Sequence, residues 1–288
     1  MNIKTVALLH PGNMGVTIGA AAASASASVV WASEGRSAAT KKRAQQAGLR
    51  DVQTTAAALS QCEAALSVCP PHAAVDVARM AAAMNFRGIY VDANAVSRAT
   101  AEEIGAIVTR AGAAFVDGGI IGSPVKQPGT TRLYLSGVEA ERIAALFKGS
   151  MLDARAIGSE PGAASALKLA YAAWSKCSDI LAIAIRAYAN HEKIDDALLE
   201  EWALSQPALA KKCDRAAAVA VPKAWRYVGE MREIAEAFQS AGLPGGFHDA
   251  AAEICQRLAC FKDQTEPPPT IDSVLQALSE RTGVRERP

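Results

Sequence analysis

The chain has 288 residues, of which 50% are hydrophobic and 20% are charged, and its formal net charge at pH 7 is +1. This length gives room for a large core and two domains. The balanced charge gives no reason to expect nucleic acid or an anionic membrane surface as a partner, because either would need a concentrated basic face.

The first elements are a β-strand, a glycine turn and an alanine-rich helix. An apolar strand at 5–9 leads into Gly12-Asn13-Met14-Gly15, and after the helix a second apolar strand ends at Trp31. Strand-like and helix-like stretches then keep alternating, as a doubly wound parallel sheet requires. Further strands are predicted at 64–68, 89–91, 115–116 and 132–135, and the capping-box pattern from Thr100 to Glu103 predicts a helix that begins there.

A long helix and an all-helical region complete the chain. The segment from Gly158 to Gly162 breaks the pattern, and the following stretch, 163–190, contains neither proline nor glycine. We therefore predict one long helix there. The rest, 194–282, has helical stretches separated by proline and glycine, with few β-rich runs.

The glycine turn is typical of a dinucleotide-binding βαβ unit. Glycine lets the chain approach a pyrophosphate closely, and the N-terminus of the following helix offers free N–H groups to its oxygens. The first glycine of the G-x-G-x-x-G pattern is replaced by His10. The predicted fold class is an α/β Rossmann domain with a doubly wound, mostly parallel sheet (1–160), an interdomain helix (161–190) and an all-α substrate or dimerisation domain (191–288).

Residues at the ends of the predicted strands are expected to contact the cofactor. Glu34 would suit the 2′-hydroxyl of NAD, whereas Arg36 and Ser37 would suit the 2′-phosphate of NADP. We favour NADP(H), with NAD(H) as the alternative. The cofactor-binding residues predicted from the sequence are Gly12, Asn13, Met14, Gly15, Glu34, Arg36, Ser37, Cys69, Pro70 and Asn94.

Other classes of site are not expected. No uncharged apolar run of about 18 residues predicts a membrane span. The chain enters its first strand without the basic and apolar regions of a signal peptide, so we expect a cytoplasmic protein. The six cysteines are scattered and the four histidines lie at no ligand spacing from them, which predicts reduced cysteines and no metal site.

Four stretches of the chain together resemble the β-hydroxyacid dehydrogenase family, which includes 3-hydroxyisobutyrate dehydrogenases and is related to 6-phosphogluconate dehydrogenase. These stretches are the glycine turn, 117–123 followed by Gly129-Thr130, 162–168, and Gly229-Glu230-Met231 ahead of Gly242. The segment 225–231, Trp-Arg-Tyr-Val-Gly-Glu-Met, is similar to a less characterised branch of the family with a distinct helical domain.

The resemblance implies that Lys168 is the catalytic residue. In the family, a lysine six residues after a glycine at the start of the interdomain helix acts in catalysis, and Gly162 and Lys168 have this spacing. Lys168 is also the only basic residue in the otherwise apolar run 163–174. Burial would lower its pKa toward the range useful for proton transfer.

The substrate positions depart from the family pattern. The asparagine that usually follows the lysine by four residues is Ala172, and the Ser-Gly-Gly segment reads Ile121-Gly122-Ser123. The family's Lys-Asp pair corresponds to Gly229-Glu230, where Glu230 is expected to orient Lys168 or to meet substrate. The substrate-binding residues predicted on this basis are Gly122, Ser123, Tyr171, Ser175, Arg226 and Glu230.

These patterns predict an NADP-dependent oxidoreductase acting on a CH–OH group. It would transfer a hydride between the nicotinamide and a small polar 3-hydroxy acid or related anionic alcohol, with Lys168 as general acid and base, and it would form a homodimer. One alternative is an imine reductase that reduces C=N on the same fold. Another is a non-catalytic sensor or scaffold that binds NADP(H).

Overall fold

A computed structural model describes residues 3–280 and divides the chain into two compact units, Met1–Leu169 and Ala170–Pro288. The first unit is an α/β layer structure and the second is helical, as the fold class predicts. The division falls within one long helix, Ala163–His191, which the sequence assigned to a connecting segment of its own.

The sheet of the first unit has eight strands in the described residues, in the order β3-β2-β1-β4-β5-β6-β7-β8. All neighbours are parallel except β6 and β7, which are antiparallel. The strands are β1 (Thr5–Leu8), β2 (Ser28–Trp31), β3 (Arg50–Asp51), β4 (Ala64–Ser67), β5 (Ile89–Asp92), β6 (Ala114–Gly122), β7 (Thr131–Ser136) and β8 (Asp153–Ala156).

Helices cover both faces of this sheet, and others build the second unit. The first unit contains α1 (Asn13–Ser24), α2 (Ala38–Gln46), α3 (Thr55–Ser60), α4 (Ala74–Ala83), α5 (Arg98–Arg110) and α6 (Ala140–Leu146). The long helix is α7 (Ala163–His191), and α8 (Asp195–Ser205), α9 (Leu209–Arg215), α10 (Ala224–Ser240), α11 (Gly246–Arg257) and α12 (Ile271–Glu280) follow.

Alternation along the central strands divides the hydrophobic core into two layers. In β1, Val6 and Leu8 belong to one cluster, whereas Ala7 and the following Leu9 belong to the other. The period of two sends successive side chains to opposite faces of the sheet. The first cluster includes residues of α1 and α6, and the second includes residues of α4 and α5.

In the second unit, an ion pair joins α7 to the start of α8. Arg186 is buried, and its Nε and Nη2 donate to the two carboxylate oxygens of Asp195 at 2.5 and 2.6 Å. A bidentate pair satisfies both partners, which offsets the cost of burying the guanidinium.

None of the helices described between residues 3 and 280 combines the length and apolar character needed to cross a bilayer.

The structure corrects three details of the sequence prediction. Helix α5 begins at Arg98 because Ser97 is its N-cap: the Ser97 Oγ accepts from the Thr100 N–H at 3.2 Å. Strand β6 continues through Gly118 and Gly119 to Gly122, because its second half pairs with β7. Helix α6 and the two edge strands, β3 and β8, are not predicted by the sequence.

Candidate functional site

The turn between β1 and α1 is open at Gly12 and closely packed at Gly15. A Cβ at Gly12 would have no heavy atom within 4 Å, whereas a Cβ at Gly15 would lie 2.2 Å from the carbonyl oxygen of His10. Gly12 is the N-cap of α1, and no side chain in the described part of the chain caps this helix. The first N–H groups of α1 therefore lie beside open space, as binding of an anion requires.

His10 occupies the position where the G-x-G-x-x-G pattern has its first glycine. Burial, with a smaller effect of the Arg36 guanidinium, lowers the pKa of His10 to about 4. The imidazole is therefore neutral at pH 7. Its Nδ1 is buried and has no hydrogen-bond partner among the described residues.

The loop after β2 brings a cation against the end of β1. The Arg36 Nη2 donates to the carbonyl oxygen of Leu9 at 3.0 Å. Ser37 is the N-cap of α2, and its Oγ accepts from the Thr40 N–H at 3.3 Å. Glu34 is exposed, and its N–H donates to the carbonyl oxygen of Gln53 at 2.9 Å. Arg36 is thus held close to the glycine turn, whereas the Glu34 side chain faces solvent.

Asn94 joins the ends of β4 and β5. Its Oδ1 accepts from the Cys69 N–H at 2.6 Å, and its Nδ2 donates to Ser67 Oγ at 3.1 Å and to Asp92 Oδ1 at 2.5 Å. Asn94 is buried, and both ends of its amide are bonded within the protein. Its side chain therefore orders the segment that begins with Cys69 and Pro70, and a direct contact between Asn94 and a cofactor stays a prediction.

Two titratable groups at these strand ends have strongly shifted pKa values. Burial, together with the nearby Asp117 carboxylate, raises the pKa of Asp92 to about 7. Burial raises the pKa of the Cys69 thiol to about 11, so this thiol is protonated at neutral pH. The carboxyl-terminal ends of the parallel strands β1, β4, β5 and β6 together form what we call the carboxyl edge of the sheet. This edge therefore contains a carboxyl group that titrates near neutral pH.

Lys168 lies in the second turn of α7 and packs beside Gly119 of β6. A Cβ at Gly119 would lie 3.1 Å from the Lys168 Cβ and 2.6 Å from the Ala164 carbonyl oxygen. Gly119 follows Asp117 by two residues, and Asp117 is the register partner of Asp92 at the end of β5. Because β1, β4, β5 and β6 run parallel, Lys168 lies at the edge of the sheet where β1 leads into the glycine turn.

The amine of Lys168 has the proton affinity that acid–base chemistry needs. The residue is partly buried, and burial lowers the pKa of its ammonium to about 8. A group whose pKa lies close to the working pH can both take and return a proton.

Gly122 and Ser123 lie where β6 turns toward β7. Gly122 has a φ of +122°, and a Cβ there would lie 2.3 Å from the carbonyl oxygen of Thr130. The Ser123 carbonyl oxygen accepts from Thr131 Oγ1 at 2.6 Å. The same connection touches α1, because the Val125 N–H donates to Thr17 Oγ1 at 3.1 Å.

In the second unit, the predicted charged residues already have protein partners. Arg226 stacks on the ring of Trp225 and lies 3.7 Å from the carboxylate of Asp263. Glu230 forms an ion pair with Lys176 of α7. On α7 itself, Tyr171 is half exposed and Ser175 is partly buried.

Lys176 and a buried cluster around Asp117 also have contacts that the sequence does not predict. The Lys176 ammonium lies 4.5 Å from the centre of the Tyr227 ring, so it joins Glu230 and Tyr227 of α10. Asp117 accepts hydrogen bonds from Ser165 and Ser136. Both sets join residues far apart in the chain, and no local spacing signals such contacts.

Within residues 3–280 no group of three His, Cys, Asp or Glu side chains is placed to hold a metal ion.

Comparisons of the sequence give two matches. A family described as a domain of unknown function, DUF1932, matches residues 189–258. An uncharacterized 28.5 kDa protein in the 7S RNA 5′ region of Methanothermus fervidus is 30% identical over 167 residues, which are 58% of this chain and 64% of that protein. The match therefore spans less than two thirds of this curated relative.

Solved structures share the fold over almost the whole chain. A conserved protein of unknown function, described as structurally similar to 3-hydroxyacid dehydrogenases, has a TM-score of 0.73 and 25% identity, with 89% of this chain and 97% of that one covered. The 3-hydroxyisobutyrate dehydrogenase of Mycobacterium tuberculosis, solved with L-serine, has a TM-score of 0.69 at 16% identity, with coverages of 96% and 99%.

A variant imine reductase from Myxococcus stipitatus, solved in complex with NAD+, has a TM-score of 0.51 at 17% identity, with coverages of 96% and 100%. The resemblance predicted from the sequence is thus confirmed in the fold. The chain shares the fold of the 3-hydroxyacid dehydrogenase-like proteins, and its residues 189–258 match the DUF1932 family.

Proposed function

We propose that this protein is an NAD(P)-dependent oxidoreductase that uses Lys168 as general acid and base. The observation that carries the proposal is the position of Lys168, whose pKa is lowered to about 8 at the carboxyl edge of the sheet. Ligands of open α/β sheets bind at this edge. The fold shared with dehydrogenases and reductases supports the same assignment.

The residues of the glycine turn fit a dinucleotide. The open space at Gly12 gives a pyrophosphate access to the N–H groups of Asn13, Met14 and Gly15. The backbone of Cys69 and Pro70, ordered by Asn94, completes the proposed binding surface at the end of β4. When bound, the nicotinamide supplies hydride transfer.

NADP is the proposed cofactor, with NAD as the alternative. Arg36 lies next to the glycine turn through its bond to the Leu9 carbonyl. The hydroxyl of Ser37 and the N-terminus of α2 lie beside it, and this combination suits a 2′-phosphate. Glu34 is the group that would favour NAD. Tighter binding of NADH than of NADPH in a calorimetric titration would contradict this preference.

Lys168 moves the proton in the proposed reaction. In the direction of oxidation, the neutral amine takes the proton of the substrate hydroxyl. In the direction of reduction, the ammonium polarises the carbonyl group and donates a proton to its oxygen. General acid–base catalysis of this kind contributes about 10²–10⁴ in rate.

The proposed substrate is a small polar 3-hydroxy acid or a related anionic alcohol. Within the first unit, backbone N–H groups at Gly122 and Ser123 are the proposed contacts for its anionic group. The substrate roles of Tyr171, Ser175, Arg226 and Glu230 stay predictions. For Arg226 and Glu230, such a role requires substrate to compete with Asp263 and Lys176.

The test is a screen for reduction of NADP+ by hydroxy acids, sugar acids, and phosphorylated or sulfonated alcohols. At least one compound class is expected to give turnover in the wild type. Lys168→Met is expected to lose about 10²-fold or more in kcat while its Kd for NADPH stays within twofold. Near-normal turnover of Lys168→Met would refute the role of Lys168.

Imine reduction is the second candidate, because imine reductases share this fold. It is tested by following NADPH oxidation with cyclic imines in the wild type and in Lys168→Met. Imine turnover together with silence toward every alcohol would favour this candidate. Tight NADPH binding without any turnover would favour the other alternative, a non-catalytic sensor or scaffold that binds NADP(H).

We also propose that the protein is a homodimer. An apolar stripe on α7 within the second unit is exposed: Trp174 is 74% and Tyr188 64% accessible, with Leu181 and Ile185 between them. Their spacing puts them along one face of the helix. An exposed apolar face of this kind is expected to pack against another protein surface, here a second copy of the chain. Sedimentation analysis is expected to show a dimer that Leu181→Asp dissociates, whereas Leu204→Asp on α8 has no effect. A monomeric wild type would contradict this proposal.

A further inference from the structure

A buried carboxylate in β6 caps the start of α7. Asp117 is fully buried. It accepts from the Ser165 N–H at 2.9 Å, from Ser165 Oγ at 2.5 Å and from Ser136 Oγ at 3.0 Å. A buried carboxylate is costly unless donors surround it, and here all three donors come from the start of α7 and the end of β7.

The cap satisfies backbone groups that a helix cannot satisfy itself. The first N–H groups of any α-helix have no partner within the helix. In α7, the Ser165 N–H donates to Asp117, and the Ala164 N–H donates to Ser136 Oγ at 3.1 Å. The negative charge of Asp117 also lies at the positive end of the α7 dipole. The first turn of α7 is therefore anchored to two neighbouring strands of the sheet.

A second contact fixes the distance between the helix and β6. Gly119 follows Asp117 by two residues, so both positions face the same side of the sheet. A Cβ at Gly119 would lie 2.6 Å from the Ala164 carbonyl oxygen and 3.1 Å from the Lys168 Cβ. Lys168 follows Ser165 by three residues, which puts the two on neighbouring turns of one helix face.

We propose that Asp117 is a positioning residue that holds Lys168 at the carboxyl edge of the sheet by capping α7 through Ser165 and Ser136. Asp117 does not touch the reacting atoms. It acts by keeping the first turn of α7 formed and pressed on Gly119, so that the amine of Lys168 stays in its partly buried position. This inference rests on the proposed function only in taking Lys168 as the acid–base group.

The experiment measures the pKa and reactivity of Lys168 directly and needs no substrate. Purified full-length protein is labelled with trace acetic anhydride from pH 6 to pH 11, and acetylation of the Lys168 peptide is quantified by mass spectrometry. The wild type is expected to titrate near the pKa of about 8 that burial produces. In Asp117→Asn and Ser165→Ala, water reaches the amine as the first turn loosens, and the pKa is expected to rise by about one unit or more.

Two further variants separate positioning from general destabilisation. Ser165→Thr keeps the hydroxyl and is expected to restore the wild-type titration. Ser97→Ala removes the comparable cap of α5, a helix of the same unit, and is expected to leave the Lys168 titration unchanged. If Asp117→Asn does not fold, Ser165→Ala decides the test, because it keeps the backbone bond from Ser165 to Asp117.

An unchanged pKa of Lys168 in folded Ser165→Ala would overturn the proposal, as would an equal rise in the Ser97→Ala control. NADPH affinity, measured on the same samples, tests the proposed function separately. A wild type that binds no NADPH would defeat that function, whereas the labelling result would still decide whether Asp117 positions Lys168.

Discussion

Replacing Gly12 with alanine is expected to weaken dinucleotide binding without unfolding the protein. Gly12 has φ −70° and ψ −172°, which alanine adopts freely, and its Cβ would meet no heavy atom within 4 Å. Alanine is a poorer N-cap than glycine by about 0.5–1 kcal/mol. Alanine also restricts the unfolded chain, which stabilises the folded protein by about 0.4–1 kcal/mol. The free energy of unfolding is therefore expected to change by about 0.5 kcal/mol or less.

The effect on binding follows from the same geometry. The added methyl group takes the space through which a pyrophosphate oxygen would approach the first N–H groups of α1. A hydrogen bond to a charged group contributes about 1.5–3 kcal/mol. Loss of one such bond is expected to raise the Kd for NADPH by about 10- to 100-fold.

Gly15→Ala is the matched comparison. Its Cβ would lie 2.2 Å from a backbone oxygen, that of His10, so the helix must shift, at a cost of about 1–3 kcal/mol. Calorimetric titration with NADPH and urea unfolding of both variants separate the two roles. Wild-type affinity in Gly12→Ala would refute the assignment of this turn to the dinucleotide.

Three other substitutions test the energetics of the sheet edge. Lys168→Met is expected to stabilise the protein by about 1–3 kcal/mol at pH 7, because burial disfavours the ammonium. This gain should shrink as the pH rises from 8 to 10.5, because Lys168 loses its proton at a lower pH in the folded wild type than in the unfolded chain. A difference in the free energy of unfolding by urea that does not change with pH would contradict this prediction. Because the folded-state pKa of Asp92 is raised to about 7, the wild type should lose stability as the pH rises from about 4 to 7. The stability of Asp92→Asn should fall less over this range. Equal falls in the Tm of the wild type and of Asp92→Asn between pH 5 and pH 8 would contradict this. Gly119→Ala is expected to cost about 1–3 kcal/mol through its clash with Ala164, and an unchanged urea midpoint would show that α7 yields there.

Local patterns in the sequence predict much of this fold. The apolar strands before the glycine turn and at 64–68 and 89–91 appear in the sheet, and the stretch without proline or glycine forms α7. Strand β8 (Asp153–Ala156) was missed because it alternates alanine with charged residues at a sheet edge and has no apolar run. The start of α5 was misassigned because Ser97 and Thr100 both have capping hydroxyls, and only the structure shows which one accepts the backbone N–H.

The sequence predicts individual residues of the candidate site, whereas it does not predict the contacts that support them. Lys168 is predicted from its spacing to Gly162 and from its isolation in an apolar run. The hydrogen bonds of Asp117 to Ser165 join residues 48 positions apart, and the ion pair of Lys176 with Glu230 joins residues 54 positions apart. Such contacts depend on how strands and helices pack, and a single sequence does not encode them in any local spacing.

The most direct test of the account is a crystal structure of the protein with NADPH. We expect the pyrophosphate on the N–H groups of Asn13, Met14 and Gly15, and the Lys168 Nζ within about 5 Å of the nicotinamide C4, close enough to reach an oxygen of a bound substrate. A nucleotide bound away from the glycine turn, or a Lys168 amine directed into solvent away from the ring, would contradict the account.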